Sequence, residues 1–465
     1  MTNATNVHKS QIRIDFFDTT KTNQPLSTAN LKGMTSMKTK TILAATLAAA
    51  SMSAVFQANA ETFTTNGVTW TYVVNSAKNK TVTLGGLDNL NQNVTPNDTQ
   101  RAMPAATELD ASLIPWKFTD NGTNYTVSAL GSQAFRGCTN LTGNLSFPST
   151  VKTLGRACLY QTKVRIITFG GVTRIYGYGF QQMSAQPIPD LSDVTTIEGG
   201  AFYGSPFTGV ARLAKSATCA GWRSFCSSKS LEAILALGPD TVTSGTQSTT
   251  TFAPNSFAAA ATNVKVIFMG PNTRGGNGMA RADKDWAPCL NGVTNCKMFV
   301  PNDASWHGDA MSTEGTSNEI IYYGSSTNLD FIVDDDAKVV VARPVTEDAL
   351  VTALDAAPLF RTHFGWDMKV DTTNAIAVTA GTITAAKFKD AGIKANSLML
   401  NFAVKNQAQL DSILNAVPVD AMVGIDPTGL TENMVVEDRE NVFVKNVPGV
   451  TVRRRANGGF AILVL

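Results

Sequence analysis

The hydrophobic positions in the middle of the chain repeat one short phrase six times. A large apolar residue is followed, four positions later, by a small residue and then by a second large one; only the fifth copy departs from this, because it opens on Ala220. The copies read LGSQAF, LGRACL, IYGYGF, IEGGAF, AGWRSF and FAPNSF, ending at Phe135, Leu159, Phe180, Phe202, Phe225 and Phe257. The intervals between these end points are 24, 21, 22, 23 and 32 residues. A fixed period of this size predicts stacked structural repeats, which we place at residues 113–310.

Short apolar runs lie between the copies, at residues 145–147, 164–167, 231–234 and 264–269. Each repeat is therefore expected to supply one short strand and one tight return. Neither part can bury its apolar side alone, so stacked neighbours must bury the large residues as continuous ladders. Residues 62–74 alternate with a period of two around Asn66-Gly67, which predicts a hairpin, and residues 61–112 are expected to form a β-rich segment that caps the first repeat.

The pattern changes after the repeats, and residues 311–329 are interpreted as a linker. Beyond it, helices are predicted at 346–356, 384–394 and 406–416, with Thr346 as an N-cap and Pro358 just past the end of the first. Strands are predicted at 338–342, 398–404, 442–444 and 460–465. This mixture predicts a separate α+β domain of unknown role over residues 330–465.

Residues 37–60 have the pattern of a secretory signal peptide within a leader of residues 1–60. Lys38 and Lys40 precede an apolar stretch at 42–56, and Ala58-Asn59-Ala60 supplies a small-x-small cleavage site. The polar residues before it predict that translation starts at Met37 or Met34 rather than Met1. The apolar stretch is shorter than the ~20 residues that span a bilayer, and no later run reaches that length. We therefore expect a secreted or cell-surface protein with no transmembrane anchor after cleavage.

The charge content is low for a globular protein: 16% of residues are charged and the net charge is +2. The first sixty residues contain six Lys and Arg but only two Asp, so the remainder is slightly acidic. A nucleic-acid partner would require a concentrated basic face. The composition therefore argues against nucleic-acid binding.

The first repeat carries a specific resemblance. Asn121-Gly122-Thr-Asn-Tyr125-Thr-Val127 leads into Leu130-Gly131-Ser-Gln-Ala134-Phe135-Arg-Gly-Cys138-Thr-Asn-Leu141, and residues 147–151 read FPSTV. This resembles the BspA-type leucine-rich repeat of secreted and surface proteins of bacteria. The period in the low twenties also falls in the range of leucine-rich repeats. Later copies drift: Thr162, Met183 and Ser205 replace the family cysteine.

The resemblance, which covers about 113–310, implies a curved β-rich leucine-rich-repeat (α/β) solenoid with a recognition role, often adhesion. The family has no shared catalytic residues, and no cofactor or metal is expected. We therefore expect an exported, non-catalytic protein that binds a protein or glycan outside the cell. One alternative is an extracellular polymer-degrading enzyme whose C-terminal domain is catalytic and whose repeats target it. Another is a structural component of a surface layer.

Four aromatic residues are candidates for partner binding. They lie in or beside the repeat phrases, between the expected core positions: Tyr176, Tyr178, Tyr203 and Trp222. If they project outward they form a stripe suited to protein or sugar. Alternatively, they pad the rim of the core.

Six cysteines in an exported chain suggest oxidation. Two pairs share a spacing that allows a closed loop, Cys219 with Cys226 and Cys289 with Cys296, and we expect disulfides there. Cys138 and Cys158 are expected to be buried thiols of the repeat core.

Two further groups have a chemical and a structural interpretation. The run of residues 334–336, three aspartates, offers oxygen ligands for calcium but lacks the alternating motif, so a solvated turn is favoured. His363 beside Asp367 suggests a general base, but no nucleophile motif lies nearby, so a histidine packed among aromatic rings is favoured. His307 beside Trp306 has the same interpretation.

Overall fold

A computed structural model describes residues 60–219 and 224–464, apart from 226, 229, 239–250, 253–262, 272, 276–292, 303–316, 380, 438 and 456–460. The expected signal peptide and start sites therefore lie outside the described residues, except for Ala60. Residues 57–465 form one compact unit.

The N-terminal segment begins with a hairpin. The strands up to the second repeat are β1 (Ala60–Thr65), β2 (Val68–Ser76), β3 (Thr81–Leu84), β4 (Leu109–Asp110), β5 (Lys117–Asp120), β6 (Thr123–Leu130), β7 (Leu141–Thr142), β8 (Asn144–Ser146) and β9 (Thr153–Leu154). β1 and β2 pair antiparallel around Asn66 and Gly67, whose φ angles of 53° and 72° are the left-handed pair that a two-residue hairpin turn favours. β3 pairs parallel with β6, so this segment continues the repeat sheet at its first end.

The later repeats contribute β10 (Arg165–Thr168), β11 (Arg174–Ile175), β12 (Gln186–Pro187), β13 (Thr196–Ile197), β14 (Phe207–Arg212), β15 (Thr218–Cys219), β16 (Leu231–Ala236), β17 (Thr251–Phe252), β18 (Val266–Met269), β19 (Arg274–Gly275), β20 (Lys297–Pro301) and β21 (Glu319–Tyr323). One sheet joins the short strands β6, β9, β11, β13, β15, β17 and β19 in parallel. A second joins β12, β14, β16, β18, β20 and β21, also in parallel. Successive repeats thus add strands to two shared sheets.

The repeated phrase forms the end of each short strand and the turn that follows it. The first large residue ends the strand, and the last is buried against its counterparts. Phe180, Phe202 and Phe225 stack in sequence, with ring centroids 5.3 and 5.1 Å apart. The fourth position of the phrase is left-handed in the first four copies, at Gln133, Ala157, Tyr178 and Gly200. The expected ladder of large residues is therefore present.

The fifth copy differs from the sequence alignment. Its strand pairs Cys219, not Ala220, with Phe252 of the next copy. The fifth copy is therefore one residue longer than the phrase, which explains why the sequence match was imperfect.

The second repeat sheet is buried on both faces. On one side Ile234 and Ile267 join the core of the repeats. On the other side Leu235, Phe268 and Phe299 join a second core formed with residues 329–452. Because both faces are covered, β16 and β18 are almost entirely apolar. A strand with one face in solvent would instead alternate apolar and polar residues.

The C-terminal strands are β22 (Leu329–Asp334), β23 (Val339–Pro344), β24 (Asp367–Asp371), β25 (Ile376–Ala377), β26 (Leu398–Ala403), β27 (Met422–Asp426), β28 (Met434–Glu437), β29 (Val442–Val444), β30 (Val452–Arg455) and β31 (Ala461–Val464). The helices are α1 (Glu347–Leu359), α2 (Ala385–Ala391) and α3 (Gln407–Ala416). Thr346, Thr384 and Asn406 cap them by accepting the amide N–H three residues later. The three predicted helices and the Thr346 cap are confirmed.

The first helix runs further than predicted. Pro358 lies inside α1, and the chain continues as a π-helical turn over Phe360–Phe364 until Gly365 ends it in a left-handed conformation. Phe360 and Phe364 are buried in the second core, so their packing carries the helix past a proline that lacks one amide donor.

The C-terminal arrangement corrects the α+β expectation. The sheet order is β22-β23-β24-β26-β27-β29, and all of these pairs except β22–β23 are parallel. α1, α2 and α3 lie in the crossovers between β23, β24, β26 and β27. Alternation of strands and helices with parallel pairing is an α/β arrangement. The sequence pattern located the three helices and four of the strands, but it missed the other six strands and could not reveal which strands pair.

Two further expectations about the boundary change. Part of the expected linker, residues 311–329, is β21, which pairs with β20. Because Phe268 and Phe299 pack against Phe331 and Phe360, the C-terminal part shares a core with the repeats rather than standing as a separate domain.

Candidate functional site

A group of charged and aromatic side chains lies where the short strands of the third and fourth repeats turn. Arg174 and Tyr176 flank Ile175 on and after β11; Ile175 is buried, so its two neighbours face outward. Arg174 is paired in register with Thr153 and Thr196 on the adjacent strands. Both neighbours are small, and the Arg174 side chain is exposed on this face of the sheet.

Arg174 links an aromatic ring and a carboxylate. Its Cζ lies 5.5 Å from the centroid of the Tyr176 ring, and its Nη1 lies 3.7 Å from Oε1 of Glu198. Burial raises the pKa of Glu198, and the charges of Arg174 and Arg156 oppose that shift. Glu198 therefore lies in a partly desolvated position between two arginines.

The neighbouring stack is formed by Arg156, Tyr178 and Tyr203. Cζ of Arg156 lies 4.7 Å from the centroid of the Tyr178 ring. Tyr178 in turn meets Tyr203 edge to face, with centroids 6.2 Å apart. A Cβ atom at Gly200 would lie 2.7 Å from the Tyr178 ring. The ring can occupy this position only because residue 200 has no side chain.

We call the set Arg156, Arg174, Tyr176, Tyr178, Glu198 and Tyr203 the Arg–Tyr patch. All of its members except the exposed Arg174 are half-buried. The three tyrosines are neither in the repeat core nor packed against it. Tyr178 and Tyr203 are in ring contact, and a role of the three tyrosines in partner binding stays a prediction. Trp222 lies outside the described residues.

Sequence reasoning missed the arginines and Glu198. A weak signal was present, because Arg136 and Tyr160, like Arg156 and Tyr178, lie about one repeat apart. Arg136 also stacks on Tyr160, with Cζ 5.1 Å from the ring centroid. In both cases an arginine in one copy stacks on a tyrosine in the next copy, so this spacing is the signal that could have identified the pairs.

The cysteines divide into described and undescribed sets. Cys138 and Cys158 are buried free thiols, as predicted. Cys296 is also a buried free thiol, so the predicted Cys289–Cys296 bridge is not present, and Cys296 instead belongs to the repeat core. Cys289, Cys226 and the side chain of Cys219 lie outside the described residues, so the pairing of Cys219 with Cys226 stays a prediction.

The aspartate run has a structural role. Asp335 Oδ1 accepts hydrogen bonds from Trp366 Nε1 at 2.7 Å and from Lys338 Nζ at 2.9 Å. Asp334 accepts from the amide of Ala337. The run lines a cavity of about 910 Å³ beside the carboxyl ends of the second repeat sheet. The expected turn is present, with Asp334 and Asp336 exposed, and these contacts hold the half-buried Asp335 in place.

The remaining candidates are His363 and His307. His363 is half-buried in the π-helical turn; burial lowers its pKa, opposed by the charge of Glu232. His307 lies outside the described residues. Across the described parts of the chain, His, Cys, Asp and Glu do not gather in groups of three that could hold a metal ion. Within the same residues, no helix has the length and hydropathy needed to cross a membrane.

Parallel short strands, tight left-handed turns and ladders of buried phenylalanines define a β-rich leucine-rich-repeat protein. A family model described as BspA type leucine-rich repeat region matches residues 117–234 in six copies. Residues 117–234 are therefore a BspA-type leucine-rich-repeat region, as the resemblance indicated. The matched range ends at residue 234, whereas the parallel sheets continue to β21.

Solved structures of three bacterial proteins are similar to the chain. A leucine-rich repeat protein from Bacteroides ovatus is 15% identical, with a TM-score of 0.31, and the match covers 85% of this chain and 90% of that one. A leucine-rich cell surface protein from Faecalibacterium prausnitzii is 14% identical, with a TM-score of 0.22, and the match covers 57% of this chain and 96% of that one. The pneumococcal vaccine antigen PcpA is 12% identical, with a TM-score of 0.26, and the match covers 84% of this chain and 100% of that one. Likenesses at these TM-scores carry no argument about function. No curated protein matches the chain.

Proposed function

We propose that this is an exported, non-catalytic recognition protein. Its repeats form a curved solenoid that presents the Arg–Tyr patch to a protein or glycan at or outside the cell surface. The observation that carries the proposal is the stacking of Arg156 on Tyr178 and of Arg174 on Tyr176, on turns fixed by the parallel ladder.

The composition of the patch favours binding. Tyrosine and arginine are the residue types that most often dominate the energy of protein interfaces. Their mutual stacking limits the rotamers of both side chains before a partner arrives. Ordering a freely moving side chain on binding costs about 0.5–1.5 kcal/mol, and side chains that are already ordered avoid much of this cost.

The contacts of two partly buried carboxylates, one in the patch and one in the C-terminal part, support a non-catalytic function. Glu198 contacts Arg174, and Asp335 is engaged by Trp366 and Lys338, so neither forms a carboxylate pair poised for acid–base work. The hydrolase alternative requires such a pair, or a nucleophile with its base, within residues 330–465.

The test is a binding comparison on arrays of matrix proteins and of glycans, with the full chain. A fragment of the repeats alone is unsuitable, because it would expose Phe268 and Phe299. We expect the Arg156→Ala/Tyr178→Ala double variant to lose at least about tenfold in affinity for the partner that the wild type binds. Arg343→Ala, an exposed arginine of β23 outside the patch, is the matched control. Equal binding by the double variant would contradict the proposal.

A surface-layer role makes a different prediction. It requires self-association, so sedimentation at high concentration separates it from recognition by a soluble monomer. A monomer supports the proposal.

A further inference from the structure

A second cleft lies on the C-terminal sheet, away from the Arg–Tyr patch. It has a volume of about 450 Å³ and opens at the carboxyl ends of β24, β27 and β29. The residues that line it include Thr373, Asn374, Asn401, Asp426, Phe443 and Lys445.

The cleft exists because one face of this sheet has no helix over it. Neighbouring strands follow one another in chain order, so right-handed crossovers place α1, α2 and α3 on the same side. Along β26 and β27 the residues facing the helices are buried, and those between them are exposed or half-buried. A mainly parallel sheet is normally covered on both faces.

The floor of the cleft is an aromatic ring beside a glycine. Phe443 is 54% exposed and is paired in register with Gly424 of β27. A Cβ atom at Gly424 would lie 2.1 Å from Oδ1 of Asn401 on the next strand. Gly424 therefore leaves room for the Asn401 amide, and the Phe443 ring has open space on its outer side.

The rim of the cleft is polar and held in place. The amide Nδ2 of Asn401 donates to the carbonyl oxygen of Thr372, which fixes the orientation of its Oδ1 above Gly424. At the far side Lys445 Nζ donates to Asp426 Oδ2 at 2.8 Å. The charges of this pair cancel, so the rim offers donors and acceptors without a net charge.

This lining selects a class of ligand. An anion would require unbalanced positive charge, and a lipid would require an apolar rim. The cleft has neither of these features. Its exposed ring and its uncharged polar rim instead suit a neutral molecule that has an apolar face and several hydroxyl groups. We propose that the cleft binds a neutral saccharide, with one sugar ring stacked on Phe443.

The contacts follow from the chemistry of a pyranose. Its face of C–H groups carries small positive charges and fits the negative face of the Phe443 ring. Its hydroxyls both donate and accept, so they can pair with Asn401, Asn374, and the Asp426–Lys445 pair. The site is independent of the Arg–Tyr patch, which is on a different part of the chain.

Saturation-transfer NMR on the full chain tests the proposal. The probes are glucose, galactose, mannose, N-acetylglucosamine, maltose and cellobiose, with trialanine as a peptide probe. We expect saturation transfer to the C–H groups of at least one sugar and dissociation constants in the millimolar range. Phe443→Leu keeps an apolar side chain but removes the ring, and should weaken that binding about tenfold or more. Phe443→Tyr should retain it.

Two controls make the outcome decisive. Met399→Ala removes an equally exposed apolar side chain of the same sheet face that does not line the cleft, and should leave binding unchanged. The Arg156→Ala/Tyr178→Ala variant should also leave it unchanged, which separates this site from the repeat surface. The proposal is overturned by no transfer to any sugar, by equal transfer to trialanine, or by unchanged binding in Phe443→Leu. Loss of binding in the Arg156→Ala/Tyr178→Ala variant alone would also overturn it.

Discussion

Arg212 on β14 donates from Nη2 to the main-chain oxygen of Phe364 at 2.7 Å, across more than 150 residues of chain. Its Nη1 also lies 3.4 Å from Oδ1 of Asp335. A side chain of the repeat sheet thus satisfies a carbonyl at the end of the π-helical turn and joins the Asp335 network. Together with the rings of the second core, this contact ties the C-terminal part to the repeats.

The shared core predicts that the repeats and the C-terminal part unfold together. The ring of Phe268 lies within 5.2–6.4 Å of five others, including Trp366 at 5.2 Å and Phe331 at 6.4 Å. Phe268→Ala should lower the free energy of unfolding by about 3–5 kcal/mol, because it leaves a cavity in both parts. Urea unfolding followed by tryptophan fluorescence and by circular dichroism should give coincident transitions.

Ile167→Ala, on β10, is the matched control because Ile167 is 47% exposed, and it should change stability little. Two separate transitions, with only one shifted by Phe268→Ala, would show that the parts fold independently.

The Asp335 network predicts an acid-sensitive contribution to stability. Burial raises the pKa of Asp335, but the hydrogen bonds from Trp366 and Lys338 and the charge of Arg212 outweigh it, so the net pKa lies below the ordinary 3.8. A lowered folded pKa stabilises the protein at pH values above 3.8, and this stabilisation is lost as the pH falls through the folded value. The stability difference between wild type and Asp335→Asn should therefore shrink below about pH 4.

Urea titrations at pH 7, 5 and 3 measure that difference. Asp336→Asn changes an exposed neighbour in the same run and serves as the control. A difference for Asp335→Asn that stays constant down to pH 3 would contradict the assigned role.

The sequence predicted local elements better than it predicted their partners. Thr346, Thr384 and Asn406 each start a helix, because an N-cap is a property of a few neighbouring residues. The repeat period likewise gave the ladder of Phe180, Phe202 and Phe225. Strand pairing in the C-terminal sheet depends on distant segments, so the α/β order could not be read from patterns of a few residues.

The candidate site was predicted in part for a similar reason. Tyr176, Tyr178 and Tyr203 were identifiable because they interrupt the apolar phrase. Arg156 and Glu198 became visible only when the coils were stacked, since their partners lie one or two repeats away.

Gly200 and Gly204 provide a test of how the patch is built. Both are left-handed, with φ angles of 70° and 63°, so alanine is strained at either position by about 1 kcal/mol. At Gly200 the added Cβ would also lie 2.7 Å from the Tyr178 ring, whereas at Gly204 no atom lies within 4 Å. Gly200→Ala should therefore displace Tyr178 and weaken partner binding.

Gly204→Ala should lose a comparable amount of stability from backbone strain but keep partner binding. Thermal unfolding and the array assay together separate the two effects. Equal loss of binding in both variants would mean that the Tyr178 ring is not what the partner contacts.

The cysteines give the last prediction. Burial raises the pKa of Cys138 to about 11, and that of Cys158 and of Cys296 to about 12, so these thiols stay protonated and unreactive at pH 8 in the folded protein. In unreduced protein unfolded in guanidinium, all three should react with a thiol reagent. A bridge between Cys219 and Cys226 would leave four of the six cysteines reactive, and its absence would leave all six. Mass mapping of the labelled peptides identifies which ones react. An unlabelled Cys296 would mean that it is bridged and would contradict its place as a free thiol of the repeat core.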